Sequence, residues 1–162
     1  MNRASDIQRI LNESELAELG NVKRPRRAGW AKLGYLRAAP RGGKYGELDA
    51  IELAAFATLV ASLDFEDAVL AWQDVREGIR DTAFANGSVL ILFDHRSKSA
   101  LVATQQSELG QHLRPGRLFE LIDLTEPINE IRATYRKIRQ AREARKPRKR
   151  STAATSIPTA RR

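Results

Sequence analysis

Apolar residues along the first part of this chain recur at helical spacing, in two short segments separated by a tight turn. Asn12 and Glu15 have the spacing of a capping box, and Gly20 predicts the end of that first helix. A second helix is predicted over residues 24–33, with Pro25 suited to its first turn. Two short helices joined by a turn, the second of them basic, are typical of a helix-turn-helix.

The next stretch, residues 35–45, carries turn signals and short mixed flanks. Pro40 and the pair Gly42-Gly43 predict a turn. The flanks are consistent with two small strands, so we expect a basic hairpin, or wing, beside the second helix.

Longer helices follow this segment. Apolar residues between 47 and 63 are three and four positions apart, and Asp64 is placed to begin another helix. Amphipathic helices of this kind usually form a core, and we therefore expect Phe56, Phe65 and Trp72 to be buried.

After Asn86-Gly87 the pattern changes to short apolar runs. Residues 89–93 and 100–103 predict a hairpin with a charged connection, and residues 118–124 predict a third strand. A short helix is expected over 107–113, and Thr125 is expected to cap a last helix that ends near Ala144. The fold class is therefore α+β: a winged helix-turn-helix, mostly α, followed by a small α/β unit with an antiparallel hairpin. The expected organisation is an N-terminal arm (1–9), a winged helix-turn-helix domain (10–82), a small α+β domain (86–144) and a basic disordered tail (145–162).

Charge is distributed unevenly over these parts. Residues 1–44 hold ten Lys/Arg and four Asp/Glu, a net of +6, and residues 132–162 hold twelve and one, a net of +11. Residues 45–131 hold six and fifteen, a net of −9. Two basic ends are typical of a protein that binds a polyanion. The acidic middle is expected to mediate self-association or contact with a protein partner.

The first half resembles the DNA-binding domain of the MerR family of bacterial regulators, over about residues 10–80. The resemblance is carried by Gly20-Asn21-Val22 in the turn, Trp30 in the second helix, Lys32-Leu33-Gly34-Tyr35-Leu36 at its end, and Pro40 to Tyr45 at the wing. Ala28-Gly29 replaces the Arg-aromatic pair that is usual in this family. The resemblance implies a helix-turn-helix and wing that bind double-stranded DNA.

Candidate DNA contacts follow from the basic residues of this region. Arg26 and Arg27 are the best candidates for base contact, since arginine in the first turns of a recognition helix can bind guanine in bidentate fashion. Trp30 is expected to pack between helix and wing, while Tyr45 fits packing or a phosphate contact equally well. Cations expected to contact DNA, mainly through phosphates, are Lys23, Arg24, Lys32, Arg41 and Lys44. The tail adds further phosphate contacts through Lys146, Arg148, Lys149 and Arg150, which hold DNA without reading its sequence.

No pattern of residues points to catalysis. The two histidines, His95 and His112, lack metal-ligand spacing, and we expect no catalytic residue, metal or cofactor. The chain has no cysteine and no apolar run approaching the roughly 20 residues of a membrane span. We therefore expect a cytoplasmic, bacterial nucleoid-associated protein that regulates transcription. Alternatives are an architectural or excision accessory protein of a mobile element, an RNA-binding protein, and an interaction module whose charge is incidental.

Overall fold

The structure, a computed structural model, describes residues 8–85 and 87–145. This part of the chain is mixed α+β, with helices packed on one three-stranded antiparallel sheet. The elements are α1 (Glu13–Leu19), α2 (Arg24–Lys32), α3 (Glu47–Ser62), α4 (Phe65–Thr82), β1 (Leu90–Asp94), β2 (Ser99–Ala103), α5 (Gln106–Leu109), β3 (Phe119–Asp123) and α6 (Thr125–Arg145).

The predicted helices form where the apolar spacing indicates them, and the core positions are largely as expected. Phe56 and Trp72 are buried, and their rings pack 5.5 Å apart between α3 and α4. Phe65 is the exception, because it stands exposed in the first turn of α4 and contacts only the edge of the core through Tyr35, at a ring distance of 6.0 Å. A periodic pattern identifies the apolar side of a helix but not whether a neighbouring element reaches its end.

The hairpin and the third strand are confirmed, with strand order β2-β1-β3. In the ladder Ile91 pairs with Val102 on one side and with Ile122 on the other. Side chains of alternate residues point to opposite faces. One face joins the main core through Ile91, Phe93 and Ile122, and the other carries a smaller cluster around Leu92. The short helix α5 is confirmed, although it ends at Leu109 instead of continuing to residue 113.

The predicted wing does not form. Over residues 35–45, all of which the structure describes, the chain makes a loop without a strand pair. Its turn is present, since the Gly43 N–H donates to the Pro40 carbonyl at 2.9 Å and both Gly42 and Gly43 have positive φ. Tyr45 instead bridges to Leu11, with N–H···O distances of 2.8 and 3.0 Å. The strand-like residue after the turn therefore pairs with the segment before α1 and not with residues 35–39.

One apolar cluster extends through both halves of the described chain. It includes Leu16 and Trp30 from the first half and Ile91 and Tyr135 from the second. Helix α6 lies on α3, and Thr125 is its first residue, with a hydroxyl that accepts the Val89 N–H at 3.0 Å. Thr125 thus ties α6 to the start of β1 and is not the residue before the helix. The expected division into units 10–82 and 86–144 stays a prediction.

Two further points concern membrane-spanning helices and the expected C-terminal tail. In the part that the structure describes, no helix combines the length and the apolar character needed to cross a membrane. The expected tail falls almost entirely outside the described residues, apart from Arg145, which ends α6.

Candidate nucleic-acid interface

Helix α1 begins as its sequence predicts and sets the position of the turn that follows. The Glu15 N–H donates to the Asn12 side chain at 2.9 Å, and the Glu15 carboxylate accepts the Asn12 N–H at 2.8 Å. At the other end, Gly20 lies so close to α3 that an added Cβ would stand 2.5 Å from Leu53. A larger residue at position 20 would push the turn away from α3, so this glycine is required by packing.

Helix α2 starts after this turn with little free backbone at its N-terminus. Lys23 provides no side-chain cap, and Pro25 has no N–H. The N–H groups of Arg26 and Arg27 both donate to the Lys23 carbonyl, at 3.0 and 3.1 Å. The expectation that backbone N–H groups here attract an anion is therefore weakened, and any anion must be held mainly by side chains.

Arg27 does not point outward, contrary to the assignment as a base contact. Its guanidinium is buried and donates to both carboxylate oxygens of Glu13, with the Nη2–Oε2 distance 3.0 Å. It also donates to the Tyr45 hydroxyl at 3.0 Å and lies over the Tyr45 ring. Arg27 therefore joins α1, α2 and the loop that ends at Tyr45, and it is not available to a base.

Tyr45 completes this buried cluster, and its position agrees with packing, one of the two roles expected for it. Its hydroxyl donates to the Glu13 carboxylate at 2.7 Å. Burial, together with this hydrogen bond to Glu13, raises the pKa of Tyr45 to about 12. The hydroxyl thus stays protonated and bonded within the protein and does not face a phosphate.

Trp30 also packs inward, although against α3 instead of a wing. Its ring meets the Phe56 ring edge-on at 4.9 Å. The Arg26 guanidinium lies 5.1 Å from the centre of the Trp30 ring, on the exposed side. Arg26 is therefore at the surface, within cation–π distance of the buried Trp30 ring.

The other predicted cations are exposed and lack acidic partners. Within residues 8–85 and 87–145 none of them forms an ion pair, and they stand on α2 and on the loop that Arg27 ties to it. They are Lys23, Arg24, Arg26, Lys32, Arg41 and Lys44. Burial tends to raise the pKa of Glu15, but the hydrogen bond from the Asn12 N–H, the guanidinium of Arg142 and, last, the charge of Lys44 lower it overall.

Two further arginines belong to the same basic region and were not singled out from the sequence. Arg9 and Arg37 are exposed, and both line a shallow pocket of about 420 Å³ that Arg80, Asp49 and Glu52 complete. Arg37 is 3.9 Å from Asp49, so its charge is partly compensated. Arg9 lies outside the second helix and the predicted wing, so its position gave no signal. Arg37 lies within the predicted wing, although it was not singled out there as a DNA contact.

The outer face of α2 has long side chains only towards its ends. Ala28 and Gly29 are both exposed, and a Cβ added at Gly29 would meet nothing within 4 Å. Arg24 and Lys32 stand about 12 Å apart along the axis on either side of this bare strip. Such a surface allows the helix backbone to approach a partner closely, with a cation at each end.

A groove of about 970 Å³ runs beside this surface, between the α1–α2 turn, α3 and α6. Its lining is largely apolar and includes Val22, Trp30, Ala57 and Ile138. Arg142 of α6 donates to Glu15 at 2.6 and 2.8 Å. Helix α6 is thus held against the start of α1 and borders the same region as the basic end of α2.

Comparison with known proteins adds no family to this description. No protein-family model matches the chain, and a search of curated proteins gave no match. The resemblance to the MerR family stays a hypothesis that rests on the residues quoted above. The tail cations Lys146, Arg148, Lys149 and Arg150 lie outside the described residues.

Proposed function

We propose that this chain is a double-stranded DNA-binding protein that holds the phosphate backbone with α2 and the 40–44 turn. The observation that carries the proposal is the set of six exposed cations on these two segments and at the N-cap of α2, none of which forms an ion pair with another described residue. The chain has 28 Lys and Arg against 20 Asp and Glu, so some cations must lack a carboxylate partner, and these six are concentrated on two segments that the Arg27 cluster joins. Cations left free on one surface attract a polyanion, and each phosphate contact releases counterions.

The Arg27 cluster supports this proposal by fixing the geometry of the basic surface. Because one guanidinium bonds Glu13 on α1 and Tyr45 on the loop, α2 and the 40–44 turn keep a constant separation. Phosphates are regularly spaced along DNA, so cations at fixed separations contact them with less loss of conformational entropy than cations on mobile loops.

Phosphate contact is expected to contribute more than base contact. Of the two arginines assigned to bases, Arg27 is buried, and the Arg26 guanidinium lies over the Trp30 ring, 5.1 Å from its centre. The bare centre at Ala28 and Gly29 offers no side chain to a base edge. This observation favours an architectural DNA-binding role, with weak sequence preference, over a sequence-specific transcriptional regulator. Association with the nucleoid would follow from either role.

Duplex binding of the full chain across a salt series tests the proposal. The variant Arg24→Ala/Lys32→Ala should bind DNA more weakly, with a slope of log K against log salt reduced by about 1.8 if both residues contact phosphates. The matched control is Arg96→Ala/Arg114→Ala, which removes the same charge from exposed positions on the sheet half. Equal binding by the two variants, or tighter binding of the parent to structured RNA than to duplex DNA, would overturn the proposal.

Selection from randomised duplexes separates the two DNA-binding roles. An architectural protein should enrich little or no sequence and should bend the bound duplex. A regulator should enrich a motif, and Arg26→Ala, at the exposed candidate for base contact, should then erase it.

A further inference from the structure

The two edges of the sheet differ in how they are protected. At the β2 edge, the Ala100 N–H donates to the Asp74 carboxylate of α4 at 2.9 Å. Helix α4 also packs closely there, since a Cβ added at Gly78 would lie 3.1 Å from Val102. This edge is covered by the protein itself.

Among the residues that the structure describes, none covers the β3 edge in this way. The Leu124 N–H donates to Val89 at 2.8 Å, and Leu118 accepts from the His95 N–H at 3.1 Å. Residues facing β1 alternate along an antiparallel strand, so Phe119, Leu121 and Asp123 direct their N–H and C=O groups outward. Apart from the sheet ladder itself, no backbone carbonyl of a described residue accepts a hydrogen bond from any of these three N–H groups.

Apolar side chains accompany this open edge. Leu121 is 50% exposed and Leu118, just before the strand, is 70% exposed. Leu113, in the preceding loop, is also exposed. An uncovered edge strand with apolar side chains is a template for another strand.

We propose that β3 pairs in antiparallel fashion with β3 of a second copy of this chain, about a two-fold axis at Leu121. The two sheets would then form one six-stranded sheet. Leu121 would exchange both hydrogen bonds with Leu121 of the second copy, and Phe119 would lie opposite Asp123. The segment is self-complementary, as a two-fold interface requires.

Charge selects this register over its neighbours. A shift that brings Glu120 opposite Glu120 of the second copy would place two carboxylates together, which is destabilising. A shift in the other direction would bring Phe119 opposite Thr125, where α6 has already begun. With Leu121 on the axis, Arg117, which already pairs with Asp94 of its own chain at 2.8 Å, lies diagonal to Asp123 of the second copy on the same face, where its guanidinium can bridge the two carboxylates.

The dimer is expected to be weak. Stable interfaces usually bury about 1,200 Å² or more in total, and a pair of five-residue strands with a few leucines provides less. Association should therefore depend on protein concentration. The inference stands independently of DNA binding, because all its residues lie on the sheet half.

Cysteine cross-linking tests both the pairing and its register, in a chain that has no cysteine of its own. Residues in a hydrogen-bonded antiparallel pair have Cα atoms about 5.5 Å apart, within disulfide range. Leu121→Cys should form a disulfide-linked dimer under mild oxidation. Asp123→Cys is the matched control. Each introduced cysteine would lie opposite Phe119 of the second copy, about 13 Å along the strand from the cysteine of that copy. Equal cross-linking of the two variants, or none in either, would overturn the proposal.

Sedimentation velocity of the full chain gives a test without cysteine. The sedimentation coefficient should rise with concentration for the parent and stay at the monomer value for Leu121→Pro. The Leu121 N–H faces away from β1, so proline there leaves the β1 ladder intact and blocks only the outer edge. A far-UV circular dichroism spectrum equal to that of the parent confirms folding. A parent that stays monomeric at every concentration, or a Leu121→Pro variant that still dimerises, refutes the pairing.

Discussion

Two arginine–carboxylate clusters hold different parts of this protein together, and they are built in opposite ways. The first cluster, Glu13, Arg27 and Tyr45, joins α1, α2 and the loop before α3. There the cation is inside, with the Arg27 side chain 5% exposed and Glu13 28% exposed. The second cluster, Glu52, Arg76 and Arg80, joins α3 to α4. There the anion is inside, with Glu52 3% exposed and the arginines 24% and 37% exposed.

The difference determines which substitution leaves a charge stranded. A buried charge that loses its partner destabilises the fold strongly, whereas a charge near the surface regains water. The comparison also explains why Arg27 is unavailable to DNA while its neighbours on α2 are available. The ion pair of Arg27 positions α2, and the α2 cations that form no ion pair with a described residue lie on the exposed side of this helix.

The largest effect is expected in the second cluster when its cations are removed. Arg76→Ala/Arg80→Ala leaves the Glu52 carboxylate buried without its two partners, which donate to it from α4. We expect the free energy of unfolding to fall by about 3–5 kcal/mol, measured by urea denaturation.

Adding Glu52→Leu to that variant should restore much of the loss, since it removes the stranded charge. Arg136→Ala/Lys137→Ala, at exposed positions on α6, serves as the control for a loss of two positive charges. A loss in the first variant no greater than in this control would show that water reaches Glu52.

In the first cluster the buried charge is the cation, so removing the carboxylate should cost more stability than removing the arginine. Both losses should be smaller than the loss in the second cluster. Glu13→Ala leaves the Arg27 guanidinium buried with only the Tyr45 hydroxyl, and we expect a loss of about 2–3 kcal/mol. Arg27→Met fills much of the same space and leaves Glu13 partly in water, so we expect about 1 kcal/mol. Denaturation of both variants measures the order.

Arg27→Met also separates structure from recognition. If Arg27 acts only by positioning, the folded variant keeps its affinity for duplex DNA, whereas Arg24→Ala/Lys32→Ala loses it. If folded Arg27→Met loses affinity for DNA while its stability is unchanged, Arg27 would instead be part of the DNA interface.

The last effect, comparable to that of Arg27→Met, concerns the hydroxyl of Tyr45. Tyr45→Phe removes one hydrogen bond to Glu13 and one from Arg27, and we expect a loss of about 1–2 kcal/mol at neutral pH. In the parent, the unfolded chain loses the phenolic proton near pH 10, while the folded protein holds it to about 12. Stability should therefore be complete below pH 10 and decline as the pH rises towards 12.

The stability of Tyr45→Phe should fall less than that of the parent as the pH rises from 10 towards 12. Some decline is expected to remain, because burial also raises the pKa of Tyr135. Identical pH profiles for parent and variant would show that Tyr45 does not titrate differently in the two states.

Local signals in the sequence predicted most of the fold. The capping box at Asn12 and Glu15 forms as its spacing indicates, because both partners lie within one helical turn. The helices α3 and α4 and the three strands follow from the apolar spacing. These features depend on residues a few positions apart, or on one face of one element, and a linear pattern contains that information.

The site depended on contacts that no linear pattern contains. Arg27 and Glu13 are fourteen residues apart and Tyr45 lies eighteen beyond Arg27, so their meeting required α1, α2 and the loop to pack first. Tyr45 pairs with Leu11 and not with the other side of its own turn. The predicted wing therefore does not form.

The sequence by itself determined which segments form the helices and the three strands of the sheet, how they alternate, and that the chain carries basic ends. Only the tertiary structure decided which cations face solvent. Arg26 and Arg27 are adjacent in the same basic run, yet one stacks on the outside of Trp30 and the other is buried against Glu13. Successive residues of a helix point about 100° apart, and the burial of each depends on what has packed against that direction.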